Sequence, residues 1–490
     1  MSRHLASMAQ FDFDVAIIGG GSGGFAAART VAAGGLKAVV IEGGEEVGGL
    51  CILRGCMPTK ALLYAAEIIH LARDTAPWGL TNHGFTFDFA KAMERKNAVI
   101  KDFADYRVQQ LKEGKFEFIR AHAKFLDPHT VELGRAGTPL HAKQGDVSQG
   151  ARETDAPYPK KITAKYFVLA TGSHIAPTPL PELRDVGYLT SDDALNLAKL
   201  PKSMIVLGGG AIGCEFAQFM SRFGTKITLI QRSPHVLHDF DADVTAEIEK
   251  VFRREGVEVF TSTKLFDAKI ENGLKKVTFD CHGKMMSVSA EEILFALGRV
   301  PNTTGIGLDK AGVKTERGRI VCDETMQTTA PHIFAAGDCV GPHDIVHLAV
   351  LQGETAGQNI IKHGSRKMDY RLFIEIVFTD PHIAQVGLTE KQAKAQNIPY
   401  LAASYPFGDH GKSIIMEARD GFVKLLCNPK TGEIIGGTCI GPAGGELIHE
   451  IVVAMSRRMT VQELAAIPHY HPTLAEIWTY PAEELAGKIS

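Results

Sequence analysis

The sequence predicts an α/β protein in which one βαβ unit occurs twice and is followed by a C-terminal α+β region. Three observations predict it. The 50 glycines cluster where apolar strand-like runs give way to Ala-rich or amphipathic stretches, which suits repeated βαβ units better than bundles or sandwiches. The order strand, glycine turn, helix, strand appears after Asp14 and returns after Met204, an internal repeat. After Asp338 the pattern changes, and 373–378, 422–427 and 434–440 read as strands of an antiparallel sheet with helices added. At 490 residues the chain exceeds the roughly 250 to 300 at which one core stops growing, so several domains are expected.

The first unit opens with Asp14-Val15-Ala16-Ile17-Ile18 as a buried strand, Gly19 to Gly24 as a tight turn and 25–33 as a helix. A second strand, 37–41, ends in Glu42. Gly19-x-Gly21-x-x-Gly24 lets backbone approach a pyrophosphate whose charge sits on the helix N-terminus, and Glu42 is placed to accept hydrogen bonds from a ribose diol. A glycine turn that merely packs helix on strand is the alternative. The second unit repeats this with a strand at 204–207, Gly208-x-Gly210-x-x-Gly213, a helix at 215–223 and a strand at 226–230. It ends in Gln231-Arg232 instead of an acid. A carboxylate there favours the 2′-hydroxyl of NAD and an arginine the 2′-phosphate of NADP, so the pocket leans to NADP(H) unless Arg232 is a solvated loop residue. Between the units, 135–159 is polar and rich in Gly and Pro, which reads as a long surface loop.

Composition removes several classes of function. Lys plus Arg number 53 against 56 Asp plus Glu, a formal charge of -3, with no basic run, so no nucleic-acid partner is expected. Apolar runs such as those at 15–18, 205–207 and 294–297 are strand-length, so no membrane span is expected. The segment before Phe11 lacks an apolar core and reads as a loose leader, making a cytoplasmic location the expectation. Eight cysteines are too few for a disulfide scaffold. Cys214, Cys281, Cys322, Cys339, Cys427 and Cys439 are scattered and read as small buried hydrophobes.

Cys51 and Cys56 differ. On an ideal helix, positions five apart lie about 8.6 Å apart at Cα, beyond the roughly 7 Å that a disulfide tolerates. Bridging them requires an irregular helix start, which Gly55 and Pro58 permit. The helix dipole would then favour a thiolate. A metal site is the alternative, but no second Cys/His pair with ligand spacing accompanies this one; two unrelated buried thiols are a third possibility. Near the other end, Pro468-His469-Tyr470-His471-Pro472 places an imidazole before a proline that can start a helix. Glu476, one turn on, is positioned to hold the ring as a base-plus-orienter pair. A structural His-Pro turn is the alternative.

With those residues in view, the sequence resembles the flavin-dependent pyridine nucleotide-disulfide oxidoreductases from about Phe11 to Glu484. The matching motifs are the first glycine turn with Glu42, the Cys51/Cys56 segment ending in Lys60, Ala170-Thr171-Gly172 and the second glycine turn. Gly298-Arg299-x-Pro301-Asn302, Ala336-Gly337-Asp338 and the His471/Glu476 segment complete the set. The resemblance implies FAD in the first pocket, with Asp338 on its ribityl and phosphate region, and NAD(P)(H) in the second. It implies Cys56 as the flavin-proximal thiol, Cys51 as the interchange thiol, Lys60 beside flavin N5 and Glu215 as the partner of Lys60. In the family the counterpart of His471 serves the cysteines of the other subunit, so a homodimer is implied. The corresponding division is 1–174 and 299–368 for FAD, 175–298 for NAD(P) and 369–490 for dimerisation.

Departures bear on the substrate. Mercuric reductases carry a C-terminal cysteine pair, absent from Ala486-Gly487-Lys488-Ile489-Ser490. Glutathione reductases use an arginine where this chain has Glu354 and a tyrosine where it has Ala211, although Arg29 matches one of their substrate contacts. His347 and the run Tyr470-His471-Pro472-Thr473-Leu474 look most like dihydrolipoamide dehydrogenases. Against that stand Gln231-Arg232, and Leu53-Arg54 where the usual segment has Asn-Val. Arg54 either tunes the cysteines or faces solvent. The expectation is an enzyme passing two electrons between NAD(P)(H) and a dithiol or disulfide, with a lipoyl group favoured. The alternatives are an NADPH-dependent reductase of a small disulfide, and a flavoprotein scaffold or redox sensor with little turnover.

Overall fold

The computed structural model describes residues 11–73, 75–81, 83–135 and 160–489. The leader before Phe11, the loop at 136–159 and Ser490 lie outside the described residues. The chain forms two compact units, each discontinuous in sequence. The first takes in the described parts of Met1–Cys56, Ala98–Ile175 and Arg299–Met368; the second those of Met57–Asn97, Ala176–Gly298 and Asp369–Ser490.

In the first unit Phe13–Ile18 lies between Ala38–Glu42 and Lys161–Leu169, all parallel, with Glu117–Asp127 and Ile333–Ala335 added outside them. Glu117–Asp127 runs on into an antiparallel ribbon with Thr130–Arg135. Val15, Ala16 and Ile17 are fully buried. A central strand covered on both faces needs a continuous apolar run rather than an alternating one. The helix Ser22–Ala33 packs on Val346–Ile361 so closely that a Cβ on Gly353 would stand 2.1 Å from the Gly23 carbonyl oxygen.

The second unit holds a parallel sheet ordered Glu292–Phe295, Ser203–Leu207, Lys226–Ile230, Glu258–Phe260, and an antiparallel sheet of Thr263–Glu271, Leu274–Cys281 and Lys284–Ala290. A five-stranded antiparallel sheet follows, ordered Ile374–Val377, His382–Gly387, Ile434–Gly441, Phe422–Cys427, Leu401–Pro406. The α/β class with an added α+β region is therefore observed. Trp478 is fully buried beside that sheet's helices and donates its indole N–H to the Leu447 carbonyl at 3.1 Å.

Both glycine-turn helices begin earlier than the sequence reading placed them, at Ser22 instead of 25 and at Ala211 instead of 215. The glycines read as turn are partly first-turn helix, held there by close packing rather than by conformational preference. Pro472 does not start a helix either. The chain stays irregular until a 3-10 turn, Ala475–Trp478, leads into Thr479–Ala486. Among the described residues no helix is long and apolar enough to cross a membrane, and no cluster of His, Cys, Asp and Glu is arranged to hold a metal ion.

Candidate active site

The first turn is shaped by exclusion. Gly19 sits at φ +106°, where an added Cβ would lie 2.2 Å from the Ala170 carbonyl oxygen, and a Cβ on Gly24 would lie 1.9 Å from that of Gly19. Gly21, between them, would meet only Gly49 Cα at 3.9 Å. Outer glycines thus lock helix to strand while the middle one leaves bare backbone, the cradle a pyrophosphate requires. Glu42 accepts from the Gly20 N–H at 2.7 Å and the Gly44 N–H at 2.6 Å. Thr171 and Asn302 are cross-linked, Thr171 Oγ1 donating to the Asn302 carbonyl at 2.7 Å and Asn302 Nδ2 to the Thr171 carbonyl at 2.9 Å. Gly172 follows at φ +69°, and Gly337 donates its N–H to Gln352 at 2.8 Å. Asp338 accepts from Ser173 Oγ at 2.6 Å, and burial pushes its carboxyl above the usual range. Bare backbone, an acidic strand end and the half-buried Asp338 carboxylate fit FAD.

The second turn repeats the exclusion, with a Cβ on Gly208 2.3 Å from the Ala296 carbonyl oxygen and one on Gly213 1.8 Å from that of Gly208. Gly210 faces open space. Gln231 is buried and accepts from the Gly209 N–H at 3.1 Å, while Arg232 is exposed. Gly298, at φ +116°, accepts from the Ala176 N–H at 3.0 Å. These residues fit a nicotinamide dinucleotide.

The helix break falls between the two cysteines. Leu50–Leu53 is one short turn of helix carrying Cys51, Arg54 leaves it at φ -142°, and Cys56–Arg73 starts afresh. A side chain at Gly55 would crowd the Leu50 carbonyl oxygen at 3.0 Å. Arg54 pairs with Glu46 at 3.7 Å on the surface. Arg107, which sequence reading missed, lies on the helix Phe89–Lys112 with its guanidinium 4.4 Å from the Phe25 ring centre. Its Nε and Nη1 are buried without a hydrogen-bond partner. Burial weakens its basicity and neighbouring Cys51 acts in the opposite sense. Arg29 and Arg366 both donate to Glu354, at 3.2 and 3.4 Å. His347 lies in the first turn of Val346–Ile361.

In the second unit Lys60 Nζ contacts both oxygens of buried Glu215 at 2.9 Å and stands 4.5 Å from the Phe378 ring centre. Glu215 also accepts from the Phe378 N–H at 2.9 Å. His471, with 76% of its side chain exposed, places Nδ1 2.9 and 3.2 Å from the oxygens of Glu476, which is nearly buried. Sequence reading also missed His410, fully buried, whose Nε2 lies 3.3 Å from the same carboxylate. Of the scattered cysteines, Cys214, Cys339, Cys427 and Cys439 are buried, and Cys281 and Cys322 half-buried. Burial pushes the thiols of Cys214, Cys322 and Cys439 far up.

A family model described as pyridine nucleotide-disulphide oxidoreductase matches residues 13–353, and the dimerisation domain of that family matches residues 374–482. The chain belongs to this family. It is 35% identical to a dihydrolipoyl dehydrogenase of Geobacillus stearothermophilus, over 96% of each chain. Identity to the Bacillus subtilis dihydrolipoyl dehydrogenase is 33%, over 95% of this chain and 96% of that one. Among solved structures, LpdA from Mycobacterium tuberculosis superposes with a TM-score of 0.83 at 27% identity, covering 96% of this chain and 99% of that one. The Cu(II) complex of the HOCl-induced flavoprotein disulfide reductase RclA from Escherichia coli gives 0.81 at 25%, with the same coverage. Family and relatives imply an oxidoreductase using FAD and a nicotinamide dinucleotide.

Proposed function

We propose that the protein interconverts a dithiol and its disulfide at the expense of NAD(P)+/NAD(P)H, with a lipoyl group as the favoured substrate and Cys51 and Cys56 as the redox pair. The helix break between the two cysteines carries this reading, because an unbroken helix would hold them too far apart to bridge. FAD, when bound, supplies two-electron transfer between the nicotinamide and a disulfide. In the reducing direction the Cys51 thiolate attacks a substrate sulfur; the substrate S–S bond breaks and a mixed disulfide forms. Cys56 then attacks the Cys51 sulfur, expelling the second substrate thiolate and closing Cys51–Cys56. His471, whose ring Glu476 orients, takes the Cys51 proton and gives it to the first departing thiolate, then takes the Cys56 proton and gives it to the second, and the dithiol direction runs through the same steps reversed. Arg107 offers its buried guanidinium as charge complement to Cys51 thiolate.

The dimerisation domain supports a homodimer, and the role given to His471 in that dimer is to serve the cysteines of the partner protomer. The exposure of His471 suits that role. Neutral Gln231, standing where a carboxylate would read the NAD ribose, supports a lean to NADP(H), whereas the two-armed hold of Glu354 on Arg29 and Arg366 argues against a glutathione site. Steady-state assays with NAD(H) and NADP(H), each crossed with dihydrolipoamide, lipoamide and glutathione disulfide, test the reading. Turnover with the lipoyl pair is expected. Activity confined to glutathione disulfide with NADPH would overturn the substrate.

A further inference from the structure

The His471–Glu476 pair has neighbours that the proposed mechanism leaves unused. His410 follows the strand Leu401–Pro406 and is fully buried, as is Ser413. Its Nδ1 lies 2.9 Å from Ser413 Oγ, and its Nε2 lies 3.3 Å from Glu476 Oε1. His471 makes its shorter contact, 2.9 Å, with the other oxygen, Oε2. The two imidazoles thus hold one carboxylate from its two sides. The His410–Glu476 contact falls short of an aligned hydrogen bond and is chiefly electrostatic.

The rest of the His410 environment is aromatic. Phe407 and Tyr480 meet the ring edge-on at 6.3 and 6.4 Å, and Tyr405 stacks on Tyr480 at 4.0 Å. The titratable groups around it are therefore Glu476, His471, Tyr480 and Tyr405, with the backbone at Thr473 adding a polar contact. Burial favours the neutral ring, and Glu476 opposes this more weakly. A serine hydroxyl has one proton to give, and given to Nδ1 it leaves the ring proton on Nε2, which faces the carboxylate.

We propose that His410 is a positioning residue for the thiol–disulfide exchange step: Ser413, His410, Glu476 and His471 form one polar chain that keeps the Glu476 side chain turned towards His471 Nδ1. The proton of the substrate thiol moves to His471 Nε2 and returns from it, Nδ1 keeps its own proton, and no proton passes to Glu476 or His410. This rests on the reading of His471 as the base.

Full-length holoenzyme carrying His410→Ala, His410→Asn, Ser413→Ala or His471→Ala tests it, with flavin reduction by NAD(P)H and exchange with the lipoyl substrate measured separately across the neutral pH range. His410→Ala is expected to slow exchange about tenfold and displace its pH profile, a smaller loss than the roughly 10²–10⁴ contributed by a positioned base. His410→Asn, whose amide donates a hydrogen bond but does not titrate, is expected to recover most of the rate. Flavin reduction stays within about twofold of the parent's. An unchanged rate and pH profile in His410→Ala, or equal damage to both half-reactions in the Ala and Asn variants, overturns the proposal. If His410→Ala does not fold, Ser413→Ala and His410→Asn decide: a displaced pH profile in Ser413→Ala supports the chain, and parental profiles in both overturn it. Normal exchange in His471→Ala would instead sink the base assignment.

Discussion

The two glycine turns share a backbone and differ in the residue that closes them. Gly19 and Gly208 have φ values of +106° and +105°, and in each turn a Cβ on the third glycine would overlap the carbonyl of the first. Glu42 and Gln231 even do the same local job, accepting the N–H of Gly20 and Gly209 respectively. There the likeness ends. Glu42 takes a second backbone N–H and carries charge; Gln231 is neutral and buried, its amide 3.5 Å from the His235 carbonyl. Close packing tolerates only glycine at fixed points, whereas ligand choice rests on one side chain that can change without disturbing the turn.

The largest expected effect separates packing from binding. Gly24→Ala and Gly213→Ala each force a methyl to within 1.9 and 1.8 Å of a carbonyl oxygen, and are expected to cost about 3 kcal/mol or more, read as a fall in Tm. Gly210→Ala, with open space around it, should change stability by less than about 1 kcal/mol and instead raise KM for the nicotinamide. Equal Tm losses at 210 and 213 would break the comparison.

The strand ends come next. Glu42→Gln removes the charge but keeps one acceptor, and should weaken FAD retention by about 1–3 kcal/mol, measured by equilibrium dialysis. Gln231→Glu should move the kcat/KM ratio towards NADH about tenfold, or 1.4 kcal/mol. No change in the ratio would show that this position does not read the ribose. Arg232→Ala should reduce kcat/KM for NADPH and leave that for NADH unaltered; an equal fall for both would remove Arg232 from selectivity.

The smallest effects concern the cations near the cysteines. Arg54→Ala breaks an exposed pair and should shift stability by no more than about 0.5 kcal/mol, without altering the alkylation rate of the reduced enzyme. Arg107→Met should slow alkylation of Cys51 at neutral pH. The reverse ranking would return the role to Arg54.

Much of this was legible in the sequence where the signal is local. The strands Lys226–Ile230 and Phe422–Cys427 end where their apolar runs end, and the helix break at Arg54–Gly55 follows from cysteine spacing and a glycine. Helix starts were read late because glycines inside the first turn look like loop until close packing is seen. His410 and Arg107 were not legible. His410 sits in a polar Gly-Asp-His-Gly stretch whose partner, Glu476, is brought to it only by the C-terminal fold. Arg107 belongs to a helix most of whose other charges face solvent, Lys96 being buried, and nothing in its neighbours in sequence marks it as packed on Phe25.

The central claim is that Cys51 and Cys56 open and close as one disulfide driven by the nicotinamide. Anaerobic alkylation of the holoenzyme followed by peptide mass analysis, before and after one equivalent of NAD(P)H, tests it directly. The account predicts a linked 51–56 pair before reduction and both sulfurs alkylated after it. Two alkylated sulfurs in the oxidised enzyme, with no change on adding NAD(P)H, would contradict it.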